Sequence, residues 1–244
     1  MEIIIISSAV LISTLLNILF QKQFINKNIL DKINSRSSHQ TLATRSGGCS
    51  IFLSLFLISI FFYLNNNVIY DFSFLIPISI MLIVGLYDDI YELDFKLKFI
   101  FQIIVAKIII DNGLIIDNLH GILGIYELSR ILGQMITIFI IVAIINSINF
   151  IDGIDGLAIS VITIFLLSFE LFSSTSSDMV ILTLIILGSL IPLYFFNFRR
   201  KNKVFLGDSG SLFLGTVVSI YVLKILSQDY YIKPEYDLNK VIFV

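Results

Sequence analysis

Long apolar runs recur along the whole chain, separated by short polar stretches, at roughly 2–20, 48–64, 68–87, 99–111, 132–149, 157–172, 179–197 and 211–226. Crossing ~30 Å of hydrocarbon takes about 20 helical residues. Backbone polar groups in lipid must also be satisfied within the segment, so each run is expected to be a helix. The pattern predicts an all-α, polytopic membrane protein of about eight transmembrane helices. The fourth run is short and carries Lys107, whose long stem can reach back to an interface. The first run has Glu2 where a leader would be basic and is long for a signal peptide, so a retained helix is expected. No repeat or linker interrupts the series, and residues 1–244 read as one domain. Only the connection over 112–131 is long enough for a small hairpin, with Gly113, Gly121 and Gly124 dividing short apolar pieces.

Composition strengthens this reading. Hydrophobic residues are 57% of the chain and charged residues 14%, where a soluble domain carries about a quarter. The deficit is spread along the length, which excludes a soluble domain on a single anchor. Net charge is −2, and the placement of the charges says more than their sum. Eleven of the 16 basic residues fall in the odd-numbered connections: Lys22, Lys27, Lys32, Arg36, Arg45, Lys96, Lys98, Arg199, Arg200, Lys201 and Lys203. The positive-inside rule then puts those connections in the cytoplasm and the N-terminus outside. Cys49 is the single cysteine, so an intrachain disulfide and a metal site resting on thiolates alone are both excluded.

The dense polar motifs lie on this same basic side. Gly85-Leu-Tyr-Asp88-Asp89 closes the third run with adjacent carboxylates, and ionisable residues at membrane depth are costly and usually functional. Alone, an Asp pair at a helix end is as readily a solvated terminus. Lys98 and Gln102 follow one turn apart and share a helix face. Asn146 and Asn149 end the fifth run, and Asp152 and Asp155 alternate with Gly153 and Gly156. The glycines let the backbone turn tightly and approach a ligand, and a plain turn needs fewer polar residues than this one holds. An EF-hand is excluded, because its loop needs more oxygen ligands and a terminal Glu. Phe205-Leu-Gly-Asp208-Ser-Gly-Ser211 enters the eighth run, offering N–H groups at a helix start as an anion seat. Asp208 adds a hard oxygen ligand suited to Mg²⁺, which takes one or two protein ligands beside phosphate oxygens. The basic run at 199–203 reads first as the orientation signal and second as an attraction for anionic substrates and headgroups. Gly-Asp-Ser-Gly also surrounds the nucleophile of trypsin-like proteases, but the strands and cysteines of that fold are lacking.

Taken in order, these motifs resemble the polyprenyl-phosphate N-acetylhexosamine-1-phosphate transferases, on the N-acetylglucosamine side of that family. The residues carrying the resemblance are His39 and Arg45 to Gly48, Gly85 to Asp89 with Lys98 and Gln102, Asn146 to Ala158, and Val204 to Gly215. They span roughly residues 1–226. The resemblance implies transfer of a sugar 1-phosphate from a UDP-N-acetylhexosamine to a polyprenyl phosphate such as undecaprenyl phosphate. UMP would be released, as a first step toward O-antigen, teichoic acid or a similar cell-envelope polymer. It implies Mg²⁺, with Mn²⁺ as a substitute, held by Asn149 and Asp208, and Asp88 with Asp89 as the catalytic pair that deprotonates or orients the lipid phosphate. Lys98 would contact the pyrophosphate, and Asp155, Gly153 and Phe205 would line the uracil pocket. Asn146, Asp152, His39 and Arg45 would complete the substrate site. The implied setting is the bacterial inner membrane with the site on its cytoplasmic face. Nucleic acid is not among the expected partners, and a homodimer is allowed.

The sequence departs from the family pattern at Thr44, where a Pro usually precedes the loop arginine. The pattern also continues through two or three further helices and a cytoplasmic His-x-x-His loop, whereas the histidines here are His39 and His120. A truncated, non-catalytic family remnant is therefore the alternative. A secondary transporter is the lesser one, since its acids would sit near the midplane of repeated, broken helices.

Overall fold

A computed structural model describes residues 1–30, 43–122, 124–172 and 179–227; His39 lies outside the described residues. Eight α-helices account for most of them: α1 Glu2–Asn26, α2 Gly47–Leu64, α3 Leu75–Tyr91, α4 Phe95–Asp111, α5 Arg130–Ile151, α6 Leu157–Phe172, α7 Val180–Asn197 and α8 Gly207–Ser227. Six of them (α1, α2, α3 with the 3₁₀ turn before it, α5, α7 and α8) are long and apolar enough to cross a membrane. The other two, α4 with 17 residues and α6 with 16, reach only about 25 Å at 1.5 Å per residue.

Helix ends differ most from the pattern where polar residues decide them. The third run does not become helical at 68. The Asp71 carboxylate accepts the Ser73 N–H at 2.9 Å, opening a 3₁₀ turn over Phe72–Phe74 before α3 begins. Pro77 follows in the first turn, where a missing N–H costs nothing. At the other end α3 continues to Tyr91 and stops where Glu92 turns left-handed, φ 57°. Asp88 and Asp89 therefore lie within the helix, and not beyond its end. Likewise α4 starts at Phe95, capped by Asp94, which brings Lys98 into its first turn. The long connection does form a hairpin, β2 Asn118–Ile122 paired antiparallel with β3 Ile125–Glu127.

The bundle is built around α8, which is buried along almost its whole length between α3, α5 and α2. Small residues allow that close packing, as they do where lipid supplies no hydrophobic drive between helices. A Cβ on Gly48 would lie 2.2 Å from the Gly210 nitrogen, and one on Gly85 would lie 2.3 Å from the Asp208 carbonyl oxygen. The outer helix α1 lies against α7 and α2, with Gly188 fitting beside Ala9. Polar side chains in this layer donate to backbone: Ser13 to the Ser189 carbonyl at 2.8 Å, and Asn17 to the Ser13 carbonyl at 2.9 Å. A two-residue parallel pair joins β1, Ala43–Thr44, to β4, Lys203–Val204. It ties the segment before α2 to the segment before α8, and so sets Arg45 beside Gly207.

Candidate active site

Four helix ends and two loops meet at one end of the bundle. The first residues of α8 come from Gly207, whose positive φ of 74° lets the chain enter the helix with no Cβ in the way. A Cβ there would strike the Asp89 carboxylate at 2.8 Å and the Arg45 Cβ at 2.9 Å. Asp208 then projects its carboxylate toward α4 and α5. The Lys98 Nζ donates to Asp208 Oδ2 at 3.1 Å and to Asp88 Oδ2 at 2.8 Å. Its ammonium thus bridges carboxylates 120 residues apart in sequence (88 and 208). The other Asp208 oxygen accepts Asn149 Nδ2 at 2.7 Å, and the same amide nitrogen donates to Ser211 Oγ at 2.8 Å. Asp88 Oδ1 is held by the Leu93 N–H at 2.7 Å. Asp88, Lys98, Asn149 and Asp208 consequently form one connected cluster, all four half-buried or deeper.

Around this centre the remaining candidates take up distinct places. The Asp89 side chain is fully buried, with Arg45 Nη1 3.8 Å from Oδ1. Its Oδ1 accepts the Asp208 N–H and its Oδ2 the Ser209 N–H, each at 2.9 Å. Asp152 ends α5 and sits half-buried near Gly207. Burial first, and then the carboxylates of Asp208 and Asp89, push its acid well above the usual range, while Arg45 and the Gly207 N–H pull the other way. Asp155 is ion-paired with Lys203, and the same ammonium lies 5.7 Å from the centre of the Phe205 ring. Gly153 is exposed at the rim. Asn146 is committed elsewhere: its amide and that of Gln102 exchange hydrogen bonds at 2.8 and 3.2 Å, and it also donates to the Val142 carbonyl. It stands one turn below Asn149, behind the cluster.

Two participants went unrecognised in the sequence. Ser211 could have been found, because three residues after Asp208 is the same helical face. Lys203 was read only as part of its basic run, first an orientation signal and second an attraction for anions, and its pairing with Asp155 needed the fold.

Among the described residues, no group of three His, Cys, Asp or Glu side chains is placed to hold a metal ion. The donors at hand still suit a hard cation that takes one or two protein oxygens and completes its shell with phosphate and water. Asp208 supplies a carboxylate, the Asn149 amide carries an oxygen that rotation would present, and the Asp152 carboxyl experiences a surplus of negative charge that a cation would relieve.

The bundle and this polar end define a polytopic helical membrane protein with a connected charged cluster at one end of its helices. Residues 71–226 match the model of glycosyl transferase family 4, and the chain belongs to that family. A probable undecaprenyl-phosphate N-acetylglucosaminyl 1-phosphate transferase of Bacillus subtilis is 30% identical over 200 residues, covering 80% of this chain and 54% of its own length. An undecaprenyl-phosphate alpha-N-acetylglucosaminyl 1-phosphate transferase of Haemophilus influenzae is 31% identical over 217 residues, covering 84% of this chain and 60% of the relative. A decaprenyl-phosphate N-acetylglucosaminephosphotransferase of Mycobacterium tuberculosis is 29% identical over 204 residues, covering 75% and 50%. The chain thus spans about half to three-fifths of the length of these relatives.

Proposed function

We propose that this chain forms the phosphotransfer face of an enzyme moving a sugar 1-phosphate from a UDP-N-acetylhexosamine to a polyprenyl phosphate. The observation that carries the reading is the Asp88–Lys98–Asp208–Asn149 cluster. It gathers cationic, anionic and amide groups at the end of the bundle where the basic connections lie, which supports a site on the cytoplasmic face of a bacterial plasma membrane. An oxygen of the carrier phosphate attacks the sugar-bearing phosphorus. The bond from that phosphorus to the bridging oxygen breaks, and its electron pair leaves with UMP. Phosphoryl transfer of this kind asks a protein mainly for alignment and charge neutralisation.

The residues divide that work. Lys98, held ready between two carboxylates, exchanges one of them for a pyrophosphate oxygen. Asp88 is then free to accept a hydrogen bond or proton from the carrier phosphate, whose second ionisation near pH 6 leaves little proton to remove. Asp208 with Asn149 would hold Mg²⁺ or Mn²⁺, which supplies the positive charge that lets a pyrophosphate approach carboxylates. Asp155 faces the nucleotide once Lys203 yields it, and Phe205 offers a ring beside it. The test is release of UMP from UDP-N-acetylglucosamine by the purified chain with undecaprenyl phosphate and Mg²⁺. Release that Asp208→Ala abolishes is expected. Unchanged turnover in that variant would remove Asp208 from the reaction. No turnover by the wild-type chain would count against the proposed activity.

A further inference from the structure

Helix α8 carries Asp208, and at its start neither Leu206 nor Gly207 has a side-chain acceptor. Leu206 precedes its first residue, where Ser, Thr, Asp or Asn would ordinarily satisfy the free N–H groups of the first turn. The missing acceptor comes from another helix. Asp89 of α3 reaches across and takes the N–H groups of Asp208 and Ser209, one on each oxygen, at 2.9 Å. Its side chain has 0% exposure, and Arg45 closes over it, itself 40% exposed. A carboxylate so enclosed has no face left for a substrate. Its neighbour Asp88, about 100° further round α3, is the one turned toward Lys98 and Asp208.

We propose that Asp89 is a positioning residue: it caps α8 from α3, and so fixes the direction in which Asp208 points, without touching substrate. Three other features meet at the same seam. Gly207 is the residue whose Cβ would collide with the Asp89 oxygen, and Gly85, one turn back on α3, lies against the Asp208 carbonyl. The partial positive charge of the α8 N-terminus also balances the buried carboxylate. The adjacent acids of α3 thus have separate duties, one toward the reaction and one toward the helix that carries its partner. This inference rests on the reading of Asp208 given above, and extends it to the residue that aims it.

The chain's single cysteine supplies a reporter. Cys49 is 8% exposed and lies beside Asp89 and Ser209, so loosening the start of α8 should admit a thiol reagent. The experiment compares maleimide labelling of Cys49, and Mn²⁺ affinity by electron paramagnetic resonance, in the wild-type chain, Asp89→Asn, Asp89→Ala and Asp88→Asn. Loss of the cap is expected to speed labelling about fivefold in Asp89→Ala, the scale of a lost helix cap. Asp89→Asn, which keeps one acceptor oxygen, should give a smaller increase. Mn²⁺ affinity should fall roughly 10–100-fold in Asp89→Ala, the usual effect of removing a partner that orients a metal ligand. Asp88→Asn should leave Cys49 labelling at the wild-type rate. Unchanged labelling in both Asp89 variants would overturn the cap, as would labelling in Asp88→Asn as fast as in Asp89→Ala. Should Asp89→Ala fail to fold, Asp89→Asn alone decides by the same two readouts. A wild-type chain that binds no Mn²⁺ would defeat the proposed function, while the labelling comparison would still judge the cap.

Discussion

Replacing Gly85 with alanine tests how closely the site depends on the seam between α3 and α8. A Cβ at this position would lie 2.3 Å from the Asp208 carbonyl oxygen and 2.5 Å from its carbon, more than about 1 Å inside favourable contact. Both atoms are backbone, so no side chain can swing aside, and the helices must separate. Overpacking of this size costs roughly 1–3 kcal/mol, and the better helix propensity of alanine returns up to about 1 kcal/mol. The net penalty is small enough for the fold to persist. The displacement, however, falls on the residue that carries the Asp208 side chain. Misplacing a reacting group by about 1 Å costs on the order of 100-fold in rate. Gly85→Ala should therefore keep its helical circular dichroism and much of its thermal stability, while UMP release falls about 100-fold. Turnover within about threefold of wild type would show that Asp208 tolerates movement, and the positional reasoning would be wrong.

Three further outcomes follow from the same geometry. Lys98→Met removes the ammonium between Asp88 and Asp208 and should lower turnover at least about 100-fold; a variant retaining more than a tenth of wild-type turnover would exclude Lys98 from the pyrophosphate contact. Gln102→Ala breaks the reciprocal amide pair with Asn146 and leaves a half-buried amide short of partners, which should destabilise the protein by about 1–3 kcal/mol in denaturation midpoints. The Michaelis constant for the nucleotide sugar should change little, and a change in that constant without loss of stability would place Asn146 against the substrate instead. Asp152 holds its proton more tightly when folded than unfolded, so its contribution to stability is present below the unfolded value near 4 and is lost as pH rises through the folded one. In EDTA the melting temperature should therefore decline as pH rises above the unfolded value, and Asp152→Asn should flatten that decline. An identical slope in the variant would contradict the crowding of charge described for this residue.

Much of this was legible in the sequence because membrane helices announce themselves in one dimension. Run length and apolarity located all eight helices, and the basic connections located the end of the bundle where the polar groups gather. Of the motif glycines, Gly85 and Gly207 sit where another element comes close, whereas a Cβ on Gly153 would meet only the Phe150 carbonyl oxygen at 3.8 Å. The division between Asp88 and Asp89 was not legible, because it depends on α3 continuing to Tyr91 and on α8 having no side-chain acceptor at Leu206 or Gly207. Once both lie inside a helix, adjacent residues must face different ways. The β1–β4 pairing has no signature in strands of two residues, yet it is what brings Arg45 to Asp89. Asn146 looked equivalent to Asn149 by spacing, but the Gln102 amide one helix away claims it. Chemistry carried by one segment could be read from that segment, whereas partners supplied from elsewhere needed the fold.

The account stands on one cation being shared at the start of α8, and titration of Mn²⁺ into the purified chain tests that most directly. One ion bound per chain is expected, displaced by Mg²⁺, absent in Asp208→Ala and weakened in Asn149→Ala. Binding that both variants leave intact, or no binding in the wild-type chain, would contradict the account.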